Sequence, residues 1–564
     1  MTHPQKVAAL VAGVGLSGIA YAAWSSYKQN KNTTKYKKKL KNITDENRKL
    51  LESDGDIYEI DDKIQSMTER DMAEYLLLLK YDALAVEELF QQRKWQVFRR
   101  CCKILVVVLP YAFRLIVWEY YVKRKIRDDE ELQKRYAVEL KEKLEKLGPC
   151  FVKLGQALSI RPDILPTSFM HELQKLTDQV KSYPTSEALQ LIESELGKPL
   201  DQVFLEFDQS APPISAASLG QVYRLHLKDE NKDVAVKVQR PDMLHKVLKD
   251  VYILRNLAKL ADYFASKTSK QDPFMLALID KFASATIMEL DYINESINQK
   301  ILKEELESRM NNPWTPWTKK IYIPKVFPKY TTRKVITMEW IEGSPLARSS
   351  KEVINKLVPV AIELYLIQFL KLGFSQADPH PGNLLVTESG TLALIDFGLC
   401  LKIPHKDTTV RILAMVHLMQ ANIEALIQDS VMLNFLPEDV DRKSLVPELK
   451  AVFDSVLQSA QEMEETEDIK EPSKVIIREH FADISVKLNK VFLKYPFVVP
   501  NYFALIIRAL VLLEGFGLSG DPSFDIFQAM YPFSFERAVE MFGYKGLEKI
   551  AKEAQDKMED KENA

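Results

Sequence analysis

The feature that most constrains the fold of this chain is a polar loop followed by an apolar hairpin. The loop reads Asp378-Pro379-His380-Pro381-Gly382-Asn383, and two apolar strands joined by a turn at Gly390 lead from it to Asp396-Phe397-Gly398. Side-chain oxygens such as those of Asn383 and Asp396 are ligands that Mg²⁺ prefers, and a carboxylate at Asp378 can orient or deprotonate a hydroxyl group. These residue types are suited to a magnesium site with a carboxylate base beside it.

A second constraint is a lysine in the middle of a predicted strand further upstream. Val234, Val236 and Val238 alternate with other residues and form one face of a strand, which leaves Lys237 on the opposite face. A lysine in mid-strand is costly to bury without an anion. Apolar residues then recur at helical spacing over residues 242–266, so we expect a long helix after the strand.

The order of these residues along the chain is that of a protein kinase. Lys237, Asp378, Asn383 and Asp396 follow one another as the phosphate-binding lysine, the catalytic base and two magnesium ligands do in that fold. A short strand over 335–339 runs into residues 339–343, which we interpret as a hinge between two lobes. The combination is far more specific than a single Asp-Phe-Gly.

The departures from an ordinary kinase are equally informative. Where a glycine-rich loop would cover the phosphates, residues 214–222 read ISAASLGQV, with one glycine. Alanine restricts φ and keeps the backbone farther from a phosphate than glycine does. No His-Arg-Asp precedes Asp378, and no Ala-Pro-Glu follows Asp396. The sequence therefore indicates an atypical kinase.

With these motifs, the chain resembles the UbiB-type, or aarF-domain, atypical kinases over about residues 145–525. The motifs that carry the resemblance are Lys153-Leu154-Gly155-Gln156 (the KxGQ signature), RPDILP at 161–166, the alanine-rich loop, VKVQRP at 236–241, ELDY at 289–292 with Glu295 and Asn298, Met338-Glu339, DPHPGN and DFG.

The resemblance implies an α+β fold, in which a bilobal protein-kinase-like body carries a helical KxGQ extension over the cleft, where a peptide would otherwise lie. It implies ATP and Mg²⁺ as cofactors. The catalytic residues implied are Asp378, Lys237, Glu289 and Lys153, and the metal ligands are Asn383 and Asp396. The nucleotide-binding residues implied are Ala216, Ala217, Ser218, Gly220, Val222, Lys237, Glu339 and Gln156.

Some of these roles depend on which side chains meet. The resemblance implies that Glu289 pairs with Lys237, whereas Asp250, on the helix after the lysine strand, is the alternative partner. It also implies that Lys153 and Gln156 reach into the nucleotide site. Ala217 would tune the nucleotide preference.

The N-terminal region predicts an attachment to a membrane. Residues 7–27 carry no charge, a length that spans the hydrocarbon core of a bilayer, and seven lysines follow by position 41. We expect a membrane anchor, with a removable targeting segment or a buried soluble helix as alternatives. The lysines would place the body on the cytosolic, matrix or stromal side. A second apolar run, 104–118, contains Pro110 and Arg114 and is interpreted as a buried or interfacial helix.

Composition limits the remaining classes of function. The net charge of −2 argues against a nucleic-acid-binding protein, and four cysteines at irregular spacing argue against a zinc site or disulfide framework. The predicted organisation is an anchor or targeting segment (1–30), a lysine-rich helical arm (31–130), the KxGQ extension (131–200), an N-lobe (201–343), a C-lobe (344–545) and a charged tail (546–564).

The resemblance leads to three hypotheses for function. The first is an atypical kinase or ATPase that uses Mg-ATP at an organellar membrane in isoprenoid quinone or lipid metabolism. Its partners would be membrane lipids, quinone intermediates or quinone-biosynthesis proteins, and the mitochondrial inner membrane is slightly preferred over a plastid membrane. The second is a nucleotide-gated scaffold or lipid chaperone without phosphoryl transfer. The third is a conventional Ser/Thr protein kinase.

Overall fold

The structure is a computed structural model that describes residues 77–562 except 79–80, 92, 122–129, 160, 162–163, 177–181, 206–210, 269–274, 309–319, 377–380, 404–407, 420–421, 453–487, 489–490, 493, 496 and 498–500. The predicted anchor or targeting segment, 1–30, lies outside the described residues. The described part mixes many helices with small sheets, which confirms the α+β class.

A group of helices precedes the first strand. They are α1 (Ala83–Gln91), α2 (Lys94–Tyr121), α3 (Glu130–Leu147), α4 (Pro149–Ser159), α5 (Thr167–Leu173), α6 (Thr185–Leu196) and α7 (Leu200–Val203). The predicted apolar run 104–118 lies within α2, which buries Ile104, Tyr111 and Leu115 against the protein and exposes its other side. The KxGQ signature lies on α4, most of whose residues are buried.

The first sheet carries the predicted lysine strand. Its order is β1 (Ser215–Ala216), β2 (Gly220–Leu227), β3 (Lys232–Gln239) and β5 (Val335–Glu339), each pair antiparallel. Val234, Val236 and Val238 are fully buried on one face, as the alternation predicts. They pack with α6 and α7 in an apolar core. Lys237 consequently points to the other face.

Three helices connect β3 to the rest of the chain. They are α8 (Met243–Thr268), α9 (Met275–Glu289) and α10 (Tyr292–Glu307). The expected helix after the lysine strand is thereby confirmed. Its Val247, Leu248 and Val251 are fully buried, and they share a core with α2, α4 and α9. Helices α1, α2 and α4 are therefore packed on α8 rather than standing apart from it.

A second sheet and the later helices form another packed region. The sheet order is β4 (Ile321–Tyr322), β9 (Leu392–Leu394), β8 (Leu384–Thr387) and β6 (Gly343–Pro345), and β7 (Phe374–Gln376) pairs with β10 (Cys400–Lys402). The helices are α11 (Lys351–Ile367, with a π-helical last turn Gln368–Leu372), α12 (Thr408–Met419), α13 (Ile423–Met432), α14 (Asn501–Gly520) and α15 (Ile526–Glu562, interrupted at Gly543). Residues 339–343 join the two sheets, as expected of a hinge.

Among the described residues, one helical stretch, Lys351–Leu372, is long and apolar enough to cross a membrane. Most of its apolar window, 72%, is buried within the protein. It packs in the core of the second sheet together with α14 and α15. Burial of this kind is typical of the central helix of a globular unit. The four cysteines are free thiols.

Gly155 of the KxGQ signature has a packing role that can be tested. A Cβ at this position would lie 2.8 Å from Cδ1 of Leu144 and closer still to Cδ1 of Leu176, and both leucines are buried. We expect Gly155→Ala to lower the free energy of unfolding by about 1–2 kcal/mol because the core is overpacked. Gly515, a helical glycine with nothing within 4 Å of its Cβ position, is the control. Its change to alanine should leave stability equal or raise it by up to about 1 kcal/mol. Urea titration measures both, and equal effects would contradict the packing role.

Candidate active site

Lys237 is held between two carboxylates. Its Nζ lies 2.8 and 3.0 Å from the two carboxylate oxygens of Glu295 and 3.5 Å from Oδ2 of Asp396. The ring centroid of Tyr292 is 5.1 Å from the same Nζ. Burial opposes the charge, but Asp396 and Glu295 outweigh it and raise the pKa of Lys237 well above its ordinary value. The lysine is therefore a fixed cation beside the first sheet.

Helix α10 positions Glu295. The helix begins at Asp291, whose Oδ1 accepts a hydrogen bond of 3.1 Å from the backbone N–H of Ile293, and whose other oxygen pairs with Arg333. Glu295 lies one turn further along, with its side chain 1% exposed. Burial raises the pKa of Glu295 to about 7, although Lys237 opposes the shift. Asp291, part of the acidic motif, thus has a capping role at the start of α10.

The implied partner of Lys237 was wrong. Glu289, at the end of α9, pairs instead with Lys153, whose Nζ is 2.5 Å from its Oε1. The alternative, Asp250, is also engaged elsewhere, since the guanidinium of Arg100 donates to both of its carboxylate oxygens. The reason is geometric: Glu289 ends one helix and Glu295 lies within the next, so the two carboxylates reach the site from different elements.

Asp396 and Asn383 are brought together by the β8–β9 hairpin. The backbone N–H of Ile395 donates to the carbonyl of Asn383 at 3.1 Å, so Asn383 lies next to the residue that precedes Asp396. Oδ1 of Asp396 accepts from the N–H of Gly398 at 2.9 Å. Asn298 donates to the carbonyl of Phe397 at 3.1 Å, and the Phe397 side chain is fully buried. The Asp-Phe-Gly segment is thus attached to α10, the helix that carries Glu295.

The donor set of this site suits Mg²⁺ bound to phosphates. Among the described residues, no group of three or more His, Cys, Asp or Glu side chains could hold a metal ion alone. Mg²⁺ in phosphate sites typically uses one or two protein carboxylates together with phosphate oxygens and water. Asp396 and Asn383 supply such oxygens, and Lys237 supplies the neighbouring positive charge. The residues therefore fit a Mg-nucleotide.

The alanine-rich loop lies directly against the lysine strand. Val222 pairs with Lys237 in the β2–β3 ladder, and Ala217 closes the loop by donating its N–H to the carbonyl of Gly220 at 2.8 Å. A Cβ at Gly220 would lie 2.6 Å from both the Val238 carbonyl oxygen and the Tyr292 hydroxyl, so only glycine fits. Ala216, in β1, and Ser218, which is buried, belong to the same loop.

The other implied residues have partners within the protein. Gln156 donates to the carbonyl of Leu176 at 2.9 Å. The carboxylate of Glu339 accepts from the hydroxyl of Tyr322 at 2.5 Å, so this side chain points away from the Lys237 cluster and engages β4. Asp378 lies outside the described residues, between β7 and the 3₁₀ turn Pro381–Asn383.

Comparisons with known proteins agree with this geometry. A model of the ABC1 atypical kinase-like domain matches residues 175–430. An uncharacterised protein of Synechocystis is 34% identical over 81% of this chain and 76% of its own length. The chain belongs to the ABC1 atypical kinase-like family. The resemblance to the UbiB and aarF kinases is thereby confirmed.

Other ABC1 relatives are longer than this chain. A second uncharacterised Synechocystis protein is 36% identical over 81% of the chain and 63% of its own length. The Arabidopsis thaliana protein ACTIVITY OF BC1 COMPLEX KINASE 3, chloroplastic, is 36% identical over 78% of the chain and 58% of its own length. The matched region thus spans less than two thirds of either relative.

Within this ABC1 site, the residue whose role sequence reasoning missed is Glu295. It belongs to the ELDY-containing motif, but no role follows from its position alone. The available signal was Asp291, a preferred residue for the start of a helix, which separates Glu289 from Glu295. A helix boundary at Asp291 would have indicated that the two glutamates point in different directions.

Proposed function

We propose that this ABC1 protein binds a Mg-nucleotide and hydrolyses or transfers its terminal phosphoryl group. The observation that carries the proposal is the contact of Lys237 with both Glu295 and Asp396. A half-buried lysine held by two carboxylates next to a covering loop is the arrangement that kinase-like folds use to bind phosphates. A purely structural ion pair would not require Asn383 and the alanine-rich loop next to it.

Each side chain has a distinct task in this proposal. Lys237 neutralises the phosphates, and Glu295 holds its ammonium group in place. Asp396 and Asn383 hold Mg²⁺, which supplies charge neutralisation for the phosphoryl oxygens. Asp378, which sequence reasoning assigns as the base, would orient or deprotonate the acceptor hydroxyl or water.

The position of Lys153 favours an acceptor of the phosphoryl group that is not a protein. Its ion pair with Glu289 brings α4 of the KxGQ extension to the acidic motif beside the site. An extension at that position would occupy the space of a peptide. We therefore propose a small or lipid-like acceptor, such as an isoprenoid quinone intermediate, in preference to Ser or Thr side chains of proteins.

An organellar membrane is the proposed location. Several relatives are named as chloroplastic, among them ACTIVITY OF BC1 COMPLEX KINASE 3 and 1 of Arabidopsis thaliana. These names favour the plastid alternative over the mitochondrial inner membrane that sequence reasoning slightly preferred. The charge-free segment 7–27 and the lysines after it agree with attachment to a membrane.

The test is calorimetric titration of ATP and ADP with and without Mg²⁺. Asp396→Asn removes a carboxylate from the donor set, and we expect it to weaken Mg-nucleotide binding about 10-fold while metal-free nucleotide binds as in the wild type. Asp229→Asn, at an exposed surface pair with Lys329, is the control and should have no effect. If Mg²⁺ fails to strengthen binding in the wild type, or the two variants behave alike, the proposal is wrong.

Asp378→Asn distinguishes an enzyme that transfers or hydrolyses a phosphoryl group from a scaffold that is only gated by nucleotide binding. An enzyme that uses this carboxylate as a base should lose hydrolysis by about 100-fold or more but keep its affinity for Mg-nucleotide. A nucleotide-gated scaffold would keep both binding and function in cells that depend on the protein. Hydrolysis by the purified chain and rescue of a deletion strain are the two measurements.

A further inference from the structure

Helix α2 has an exposed apolar stripe in addition to its buried face. The stripe consists of Trp95, Phe98, Cys102, Val106, Leu109 and Phe113, spaced by three or four residues so that they follow one side of the helix. Trp95 is 68% exposed, Val106 75% and Phe113 68%. The rings of Trp95 and Phe98 are stacked, with centroids 5.6 Å apart. The stripe extends over about 27 Å along the helix axis.

The opposite side of α2 fixes the orientation of this stripe. Ile104, Tyr111 and Leu115 are buried in the core shared with α8. Arg100 donates to both carboxylate oxygens of Asp250 on α8 and to the carbonyl of Leu147 at the end of α3. The helix therefore cannot rotate to bury its outer stripe without breaking these contacts. Within the described part of the chain, no apolar core includes the stripe residues.

Charge identifies the kind of surface that the stripe fits. Lys94, Arg99 and Lys103 are exposed beside it. The helix has no acidic residue before Glu119. Tryptophan and phenylalanine flanked by basic residues are typical of helices that lie in the interface of a bilayer with anionic headgroups. Self-association through the stripe would bring the basic edges of two copies close together, which is unfavourable.

We propose that α2 lies in the plane of a membrane and inserts this stripe into an anionic lipid surface. The basic edge contacts the headgroups and the aromatic rings enter the boundary between headgroups and acyl chains. Residues 1–44 have the same preference, since they contain no acidic residue and seven lysines lie between positions 28 and 41. Because Arg100 of α2 is hydrogen-bonded to Asp250 of α8, attachment of α2 would also keep α8, the helix after the Lys237 strand, next to the membrane. The proposal is independent of the nucleotide chemistry.

Quenching of Trp95 fluorescence tests the proposal in the full chain. The protein is mixed with vesicles of phosphatidylcholine, alone or with phosphatidylglycerol, that carry brominated acyl chains. The difference in quenching between wild type and Trp95→Phe reports the contact of α2 itself, whatever residues 1–30 do. We expect a clear difference only with phosphatidylglycerol. The double substitution Val106→Ser with Phe113→Ser should reduce this difference in quenching about threefold, because the apolar area that α2 inserts into the bilayer is smaller.

Two controls make the result decisive. Phe535→Ser with Tyr544→Ser removes an exposed aromatic pair on α15 and should leave quenching unchanged. Nucleotide affinity measured without vesicles should be equal in all variants, which separates this proposal from that for the active site. Equal quenching of wild type and Trp95→Phe would overturn the proposal. So would a dimer in vesicle-free solution that dissociates when Val106 and Phe113 are changed, since the occupant would then be a second copy.

Discussion

Glu295→Gln should lower Mg-ATP hydrolysis about 100-fold, because Lys237 loses the carboxylate that fixes its ammonium group and a displaced catalytic group costs a factor of this size. The substitution preserves the shape of a side chain that is 1% exposed. Asp396, at the longer distance of 3.5 Å, would then be the remaining negatively charged partner of Lys237, and it is a proposed metal ligand. We expect the affinity for Mg-nucleotide to fall less than the turnover.

Glu289→Gln is the matched control for this prediction. It removes an equivalent carboxylate from the same cluster, as both side chains lie within 3.5 Å of the Cβ position of Gly398. Because Glu289 pairs with Lys153 and not with Lys237, we expect no comparable loss of turnover. Steady-state hydrolysis and calorimetric titration of both variants give the comparison. A larger loss of turnover in Glu289→Gln than in Glu295→Gln would mean that the pairing changes when nucleotide binds.

Arg100→Met should destabilise the protein by about 3–5 kcal/mol, because it leaves the carboxylate of Asp250 buried without its partner. The pair is short, with 2.6 Å between Nε and Oδ1, and the Asp250 side chain is 6% exposed. Arg100 also donates to the carbonyl of Leu147. The loss should therefore loosen α2 and α3 from α8 together. Chemical denaturation measures the change in the free energy of unfolding.

Control variants and pH distinguish this mechanism from lost packing. Arg114→Met, on the same helix, removes an ion pair from a side chain that is 51% exposed, and it should cost less than about 1 kcal/mol. Combining Arg100→Met with Asp250→Leu should recover part of the loss, since no buried charge remains. If the double variant is less stable than Arg100→Met, the buried charge is not the cause.

The sign of the pH dependence follows from the pKa of Asp250. Burial raises this pKa above its ordinary value even in the wild type, although Arg100 opposes the shift. Without Arg100 the opposing effect is lost, so the folded state holds the proton more tightly than the unfolded state. The proton on Asp250 therefore stabilises the folded Arg100→Met variant most at pH below the pKa of Asp250 in the unfolded chain. This stabilisation is lost as pH rises through the raised pKa of Asp250 in the folded state. The stability gap between Arg100→Met and wild type should therefore be smaller at mildly acidic pH than at pH above neutrality.

Much of the architecture was predictable because it depends on local patterns. The alternation of Val234, Val236 and Val238 indicated a strand with one buried face, and the apolar spacing after it indicated α8. The segment 339–343, which sequence reasoning interpreted as a hinge between two lobes, joins two sheets. These features follow from the periodicities of strands and helices, which a single sequence displays directly.

Partner choice was not predictable in the same way. Glu289 and Asp250 were the two candidate partners of Lys237, and no role was assigned to Glu295. Their actual partners, Lys153, Arg100 and Lys237, come from three different elements. Arg100 precedes Asp250 by 150 residues, so no local pattern relates them. Contacts at such separations depend on how helices pack.

By itself, the sequence determined the order of Lys237, Asp378, Asn383 and Asp396 along the chain. It also contains the single-glycine loop and the KxGQ signature, and these features together identify the family. Residue type and spacing are sufficient for this because phosphate and magnesium chemistry accepts few side chains. Only the tertiary structure decided which carboxylate holds Lys237 and which side of α2 remains exposed. Both depend on the packing of α2, α4 and α10 around α8 and the first sheet, where burial and charge pairing act between residues far apart in the chain.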